Sequence, residues 1–142
     1  MNNTKNKFQL SVNADRDKLS KIIDPVIEFY LSNFSKETKY HKLELILEEI
    51  LVNICNYAYN NSTGLIEINA HADHLFFYVE IIDSGKPFNP LENEEPQTNL
   101  SIDERKIGGM GIHLVKKFSD SVQYLRKDNK NILKFSIKAG KN

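Results

Sequence analysis

The 142-residue chain is 40% hydrophobic, a make-up that fits one globular domain with a single core over residues 1–142. Nineteen Lys and Arg balance nineteen Asp and Glu, so no global field recruits nucleic acid or an anionic membrane surface, and any partner is recognised locally. One cysteine, Cys55, excludes a disulfide framework and a cysteine-rich metal site; with no apolar run near the roughly 20 residues that span a bilayer and no signal-peptide stretch in MNNTKNKF, a cytoplasmic protein is expected.

Phe8, Leu10 and Val12 alternate with polar residues as in a half-buried strand, and Asn13 to Asp17 offers turn and helix-cap chemistry. Leu19, Ile22, Ile23, Val26, Ile27, Tyr30 and Phe34 recur at helical spacing, with Pro25 predicting a kink or a restart capped by Asp24. One kinked helix is expected. From Thr38 to Tyr59 the set Leu43, Ile46, Leu47, Ile50, Leu51, Ile54 and Ala58 follows the helical rule throughout. Leu65 to His71 and Leu75 to Asp83 read as a hairpin turning at Ala72 to His74. Residues 84–107 hold Pro87, Pro90 and Pro96 with an acidic cluster, and a loop this long in a compact domain points to a lid or binding loop. Gly108-Gly109-Met110-Gly111 then opens a short helix, and Val122 to Arg126 with Ile132 to Lys138 form a closing hairpin around Lys127-Asp128-Asn129-Lys130.

Three short stretches carry chemistry. In LEEILVNICNYAY, with Glu49 at zero, Asn53 falls at roughly 40°, Asn56 at roughly −20° and Asn60 at roughly 20° around an ideal helix. These four make a narrow polar stripe flanking the apolar face, where asparagine costs helix propensity. Taken alone they are ordinary surface residues. In EIIDSGKPFNP an apolar strand stops at Asp83 and turns through Gly85; a carboxylate there accepts a hydrogen bond from an exocyclic amine such as that of adenine, while Gly85 permits close backbone approach. Taken alone it is a common Asp-Ser-Gly turn. GGMGIHLV opens a helix, so its free N–H groups and positive dipole end suit phosphate. It fits neither the dinucleotide fingerprint, lacking a preceding strand and the third glycine, nor a Walker loop, lacking Gly-Lys-[Ser/Thr].

Together, E-x-x-x-N on a long helix, D-x-G-x-P-F at a strand end, a proline-bearing loop and G-x-G-x-x-L at a helix start resemble the ATP-binding domain of the histidine-kinase-like ATPase superfamily. Among its stand-alone members the resemblance is to the anti-sigma-factor serine kinases, and it covers Phe8 to about Ile137. It implies a two-layer α/β (α+β) sandwich, a mixed sheet with helices on one face, and ATP between the helix 38–59, the Asp83 turn and the lid. It also implies Mg²⁺ on the Asn53 amide oxygen, Glu49 as general base, Asp83 on the adenine amine with Gly85 beneath it, and phosphate on Gly109 and Gly111 with Gly108 as lid hinge. Glu48, about 100° away, is the poorer base. Tyr57 stands where many relatives have histidine. The function implied is a serine/threonine protein kinase that phosphorylates an anti-sigma antagonist protein and sequesters a sigma factor or similar regulator, working as a homodimer without nucleic acid or membrane.

A second reading, of a different class, is an interaction module whose bound nucleotide sets the lid without phosphotransfer. Acting as a sensor histidine kinase would require dimerising helices with a phospho-accepting histidine, which the elements read here do not include. His41, His71, His74 and His113 are scattered with no ligand spacing. Phe76, Phe77 and Tyr78 read as sheet residues, and Lys116, Lys117, Arg126, Lys127 and Lys130 as a solvated basic surface, while Arg105 and Lys106 flank the glycines.

Overall fold

A computed structural model describes residues 7–34, 40–59, 64–92 and 111–139. The chain runs β1 (Lys7–Asn13), a 3₁₀ turn (Arg16–Lys18), α1 (Leu19–Asn33), α2 (Tyr40–Asn53) and a π-helical turn (Ile54–Ala58). It continues through β2 (Leu65–Ala72), β3 (Phe76–Asp83), a 3₁₀ turn (Pro90–Glu92), α3 (Gly111–Phe118), β4 (Ser121–Lys127) and β5 (Lys130–Lys138).

Local chemistry accounts for the boundaries. Asp15 accepts a 3.0 Å hydrogen bond from the Asp17 N–H and so starts the first helical turn. Pro25 lies inside α1, which continues through it as one helix, as expected from the apolar pattern. Asp73 closes the β2–β3 turn by accepting from the N–H groups of Leu75 (2.9 Å) and Phe76 (2.7 Å). Between β4 and β5, Asp128 (φ 53°) and Asn129 (φ 63°) both adopt the left-handed conformation that a two-residue hairpin requires and that Asp and Asn tolerate.

The sheet order is β1-β2-β3-β5-β4, and every neighbouring pair is antiparallel. The two-layer architecture is the one expected; the mixed sheet is corrected to an antiparallel one. The reason is topological. Among the described residues α3 lies between β3 and β4, which run parallel to each other, but the β4–β5 hairpin inserts β5 between them, antiparallel to both.

Alternation along the strands gives the sheet one apolar face. Ile66, Ile68, Phe77, Val79, Ile81, Leu133, Phe135 and Ile137 join Tyr30, Leu43, Leu47, Ile50 and Leu51 from the helices in one buried cluster. At its centre the Phe77 ring meets Tyr30 edge-on with centroids 5.0 Å apart. Each such side chain contributes about 1.5–3 kcal/mol through burial, which fixes α2 on the sheet. Register then matters for the site: Asp83 at the end of β3 pairs directly with Asn131 at the start of β5, both on the helix-covered face. Among the described residues no helix is long and apolar enough to cross a membrane.

Candidate functional site

The polar stripe of α2 divides at the π turn. As far as Asn53 the helical spacing holds, with Glu49 half-buried, Asn53 only 2% exposed and Glu48 facing solvent. The wider π turn then rotates the residues beyond Asn53 out of the helical phase. Asn56 turns to Arg16, whose guanidinium donates to Asn56 Oδ1 at 3.1 Å, and the Tyr57 ring stacks on Phe88 with centroids 5.1 Å apart. Asn60 lies outside the described residues.

Glu49 and Asn53 are incompletely satisfied. Glu49 Oε2 and both amide atoms of Asn53 are buried without a hydrogen-bond partner among the described residues. Burial pushes the Glu49 carboxyl above its ordinary value, and the charge of Glu48 adds to the rise. Orphaned buried polar atoms cost about 1–3 kcal/mol each, so an apolar core position would not select them. They suit a ligand that completes their bonding.

Across from them stands Asp83, 4% exposed. Its Oδ1 accepts from the Gly85 N–H at 2.9 Å and from Asn131 Nδ2 at 2.8 Å. Burial raises the Asp83 carboxyl above its ordinary value, while the Asn131 and Gly85 donors and the Arg126 charge pull it back. Gly85 is required by close approach: a Cβ there falls 2.3 Å from the Ala58 carbonyl oxygen, which also accepts from the Lys86 N–H at 2.9 Å. The Tyr59 hydroxyl fastens the same corner, accepting from the Ser84 N–H at 2.8 Å and donating to the Leu65 carbonyl at 2.5 Å. The Asp83–Gly85 turn is thus bolted to the end of the helix that carries Glu49 and Asn53.

Asn53, Asp83, Asn131, Phe88, Pro90 and Ile54 line a slot of about 20 Å³. That is room for about one water, so a larger ligand enters only with the side chains of Phe88 and Pro90 displaced. A larger hollow of about 320 Å³ lies on the opposite face of the sheet, between Asn69, Tyr78, Glu80, Gln123 and Lys134. Its volume is greater, but the orphaned polar atoms and Asp83 are at the slot, and the slot is where we locate the site.

Of the residues singled out in the sequence, Asn53 and Asp83 come together at the slot, with Glu49 one turn away on α2 and Gly85 in the turn. Gly111 is the first residue of α3; Gly108, Gly109, Arg105, Lys106 and the lid from 93 onward lie outside the described residues. Three site residues are new. Asn131 joins Asp83 to the turn by donating to the Lys86 carbonyl at 2.8 Å, and Tyr124 donates to Asn131 Oδ1. Arg126 corrects the surface reading: half-buried, it donates to the Gly85 carbonyl at 2.8 Å and to Asn131 Oδ1 at 3.2 Å. The available signal was an amide and a guanidinium at inward-facing positions of alternating strands.

Comparison with known proteins bears on the family and the fold. The model of the histidine kinase-like ATPase domain matches residues 12–137. Serine/threonine-protein kinase BtrW of Bordetella bronchiseptica is 27% identical over 92 residues, 64% of this chain and 65% of that kinase's length. The nucleotide-free catalytic domain of the histidine kinase ThkA superposes with a TM-score of 0.53 at 13% identity, covering 95% of this chain and 99% of that domain, a likeness of fold.

Proposed function

The chain belongs to the histidine kinase-like ATPase domain family, and we propose that it is an ATP-dependent serine/threonine protein kinase of the anti-sigma type. In this reading it phosphorylates a hydroxyl of a small anti-sigma antagonist protein, sequesters a sigma factor or similar regulator, and works as a cytoplasmic homodimer. The observation that carries it is the pair of orphaned groups, Glu49 Oε2 and the Asn53 amide, beside the buried Asp83 carboxylate.

The residues divide the work. Asp83 takes the adenine amine and so fixes the base. Asn53 Oδ1, a hard neutral oxygen without a partner among the described residues, would suit a Mg²⁺ ion that keeps several waters. When bound, the ion supplies charge neutralisation at the phosphates. Glu49, its carboxyl raised by burial, accepts the proton of the attacking hydroxyl as the new oxygen–phosphorus bond forms and the bond from the γ-phosphorus to the β,γ-bridging oxygen breaks. In the same reading Gly109 and Gly111 would supply backbone N–H groups to the phosphates, with Gly108 as the lid hinge.

The test is incubation with Mg-ATP and candidate antagonists carrying an acceptor serine. A stoichiometric phosphoprotein that disappears with Glu49→Gln supports the kinase. Nucleotide binding with no transfer to any of them favours the non-catalytic interaction module.

A further inference from the structure

Resting on the nucleotide reading above, we infer that Asn131 is the positioning residue that makes the slot selective for an amino-purine, by holding the Asp83 carboxylate so that only one of its oxygens faces a ligand.

The amide's own surroundings fix its orientation. Asn131 is 4% exposed, and three donors converge on its Oδ1: the Tyr124 hydroxyl, Arg126 Nη1 at 3.2 Å and the Phe88 N–H at 3.2 Å. An amide oxygen accepts and cannot donate, so these three donors fix which way the group points. The NH₂ must then face the other way, where it meets two acceptors, Asp83 Oδ1 at 2.8 Å and the Lys86 carbonyl at 2.8 Å. Flipping the amide would set NH₂ against three donors and oxygen against two acceptors.

The consequence falls on Asp83. Its Oδ1 already accepts from Asn131 and from the Gly85 N–H, whereas Oδ2 accepts nothing among the described residues. Asp83 lines the slot, so Oδ2 is the atom left for a ligand, and as a carboxylate oxygen it accepts from an exocyclic amine. A purine that lacks the amine leaves Oδ2 buried and unpaired. Selectivity of this kind exceeds what a simple apolar slot provides.

The experiment measures affinities for ATP, for the triphosphate of purine riboside, which lacks the amine, and for AMP. Wild type is expected to prefer ATP over the amine-free triphosphate by about 10- to 100-fold, as for a hydrogen bond to a charged group. In Asn131→Ala that preference collapses to within about 3-fold while the ATP-to-AMP ratio is kept, because the phosphate end is untouched. Asn131→Asp keeps the acceptor for Tyr124, Arg126 and Phe88 but removes the donor, and is expected to lose the preference equally. The double variant Tyr124→Phe/Arg126→Met, which releases the amide while keeping Asn131, loses it by several-fold and serves if Asn131→Ala does not fold. An equal loss for all three nucleotides, or an intact amine preference in these variants, overturns the inference alone. Failure of wild type to bind any of them overturns the functional reading, and this one with it.

Discussion

Replacing Gly85 by alanine probes how closely the Asp83–Gly85 turn is docked on the π-helical turn that follows α2. A Cβ at this position falls 2.3 Å from the Ala58 carbonyl oxygen, 2.6 Å from its carbon and 2.8 Å from its Cβ. An ordinary contact begins at 3.4 Å, so the turn must retreat by about 1 Å. Backbone is on both sides of the clash, and no flexible side chain can yield. Retreat stretches the 2.9 Å bond from the Lys86 N–H to Ala58, the 2.9 Å bond from the Gly85 N–H to Asp83 and the 2.8 Å bond from Arg126 to the Gly85 carbonyl. Overpacking costs about 1–3 kcal/mol and each weakened hydrogen bond about 1 kcal/mol. The sum is about 4–6 kcal/mol, or a Tm lowered by about 12–18 °C for a domain of this size. Thermal unfolding followed by circular dichroism measures it, and calorimetric titration with ATP should show binding weakened more than about 10-fold as Asp83 loses its hold. A Tm within about 2 °C of wild type together with unchanged ATP affinity would refute the docking argument.

Three other changes separate the roles of the site residues. Glu49→Gln should abolish phosphotransfer and leave ATP binding within a few-fold, read by phosphoprotein formation against titration. Because burial raises the folded carboxyl above 4.5, ionising Glu49 costs stability as pH rises from about that value, so the variant should match wild type near pH 4 and exceed it near pH 7 in denaturant midpoints; a constant difference across pH would remove the burial argument. Asn53→Leu should raise stability by about 1–2 kcal/mol, since it deletes two orphaned polar atoms at similar volume, while abolishing the magnesium dependence of ATP affinity; lost stability would mean that the amide is satisfied in the folded protein. Tyr57→Ala should tighten ATP binding by about 2- to 10-fold, because the base no longer has to break the Tyr57–Phe88 stack, worth about 0.5–1.5 kcal/mol; weaker binding would place Tyr57 against the nucleotide itself.

Element order was legible in the sequence because the apolar residues keep their periods: 3.6 through α1 and α2, 2 through the strands. Sheet order was not, because periodicity says which face a strand buries and nothing about its neighbour. The expected mixed sheet failed on that point, at β5 inserting between β3 and β4. The helix stripe was legible only as far as Asn53. One π turn, which no single-sequence period reveals, sends Asn56 to Arg16 and Tyr57 to Phe88.

The same limit explains why the Asp83 end of the candidate site looked weaker in the sequence than in the structure. Asp-Ser-Gly is a common turn when read along the chain, and its second half lies 48 residues away, at Asn131. What sets this strand-end aspartate apart is the cross-strand pair Asp83–Asn131 with the Tyr124, Arg126 and Phe88 donors that orient Asn131. Two of those donors are side chains on β4, which reaches Asn131 only through the C-terminal hairpin. A chain that kept D-x-G-x-P-F but carried an apolar residue at the Asn131 position would present the same motif with Asp83 Oδ1 released from its cross-strand donor. Its carboxylate would be freer to turn, and its slot would separate close purine analogues less well than one whose acceptor is held in place and left unpaired.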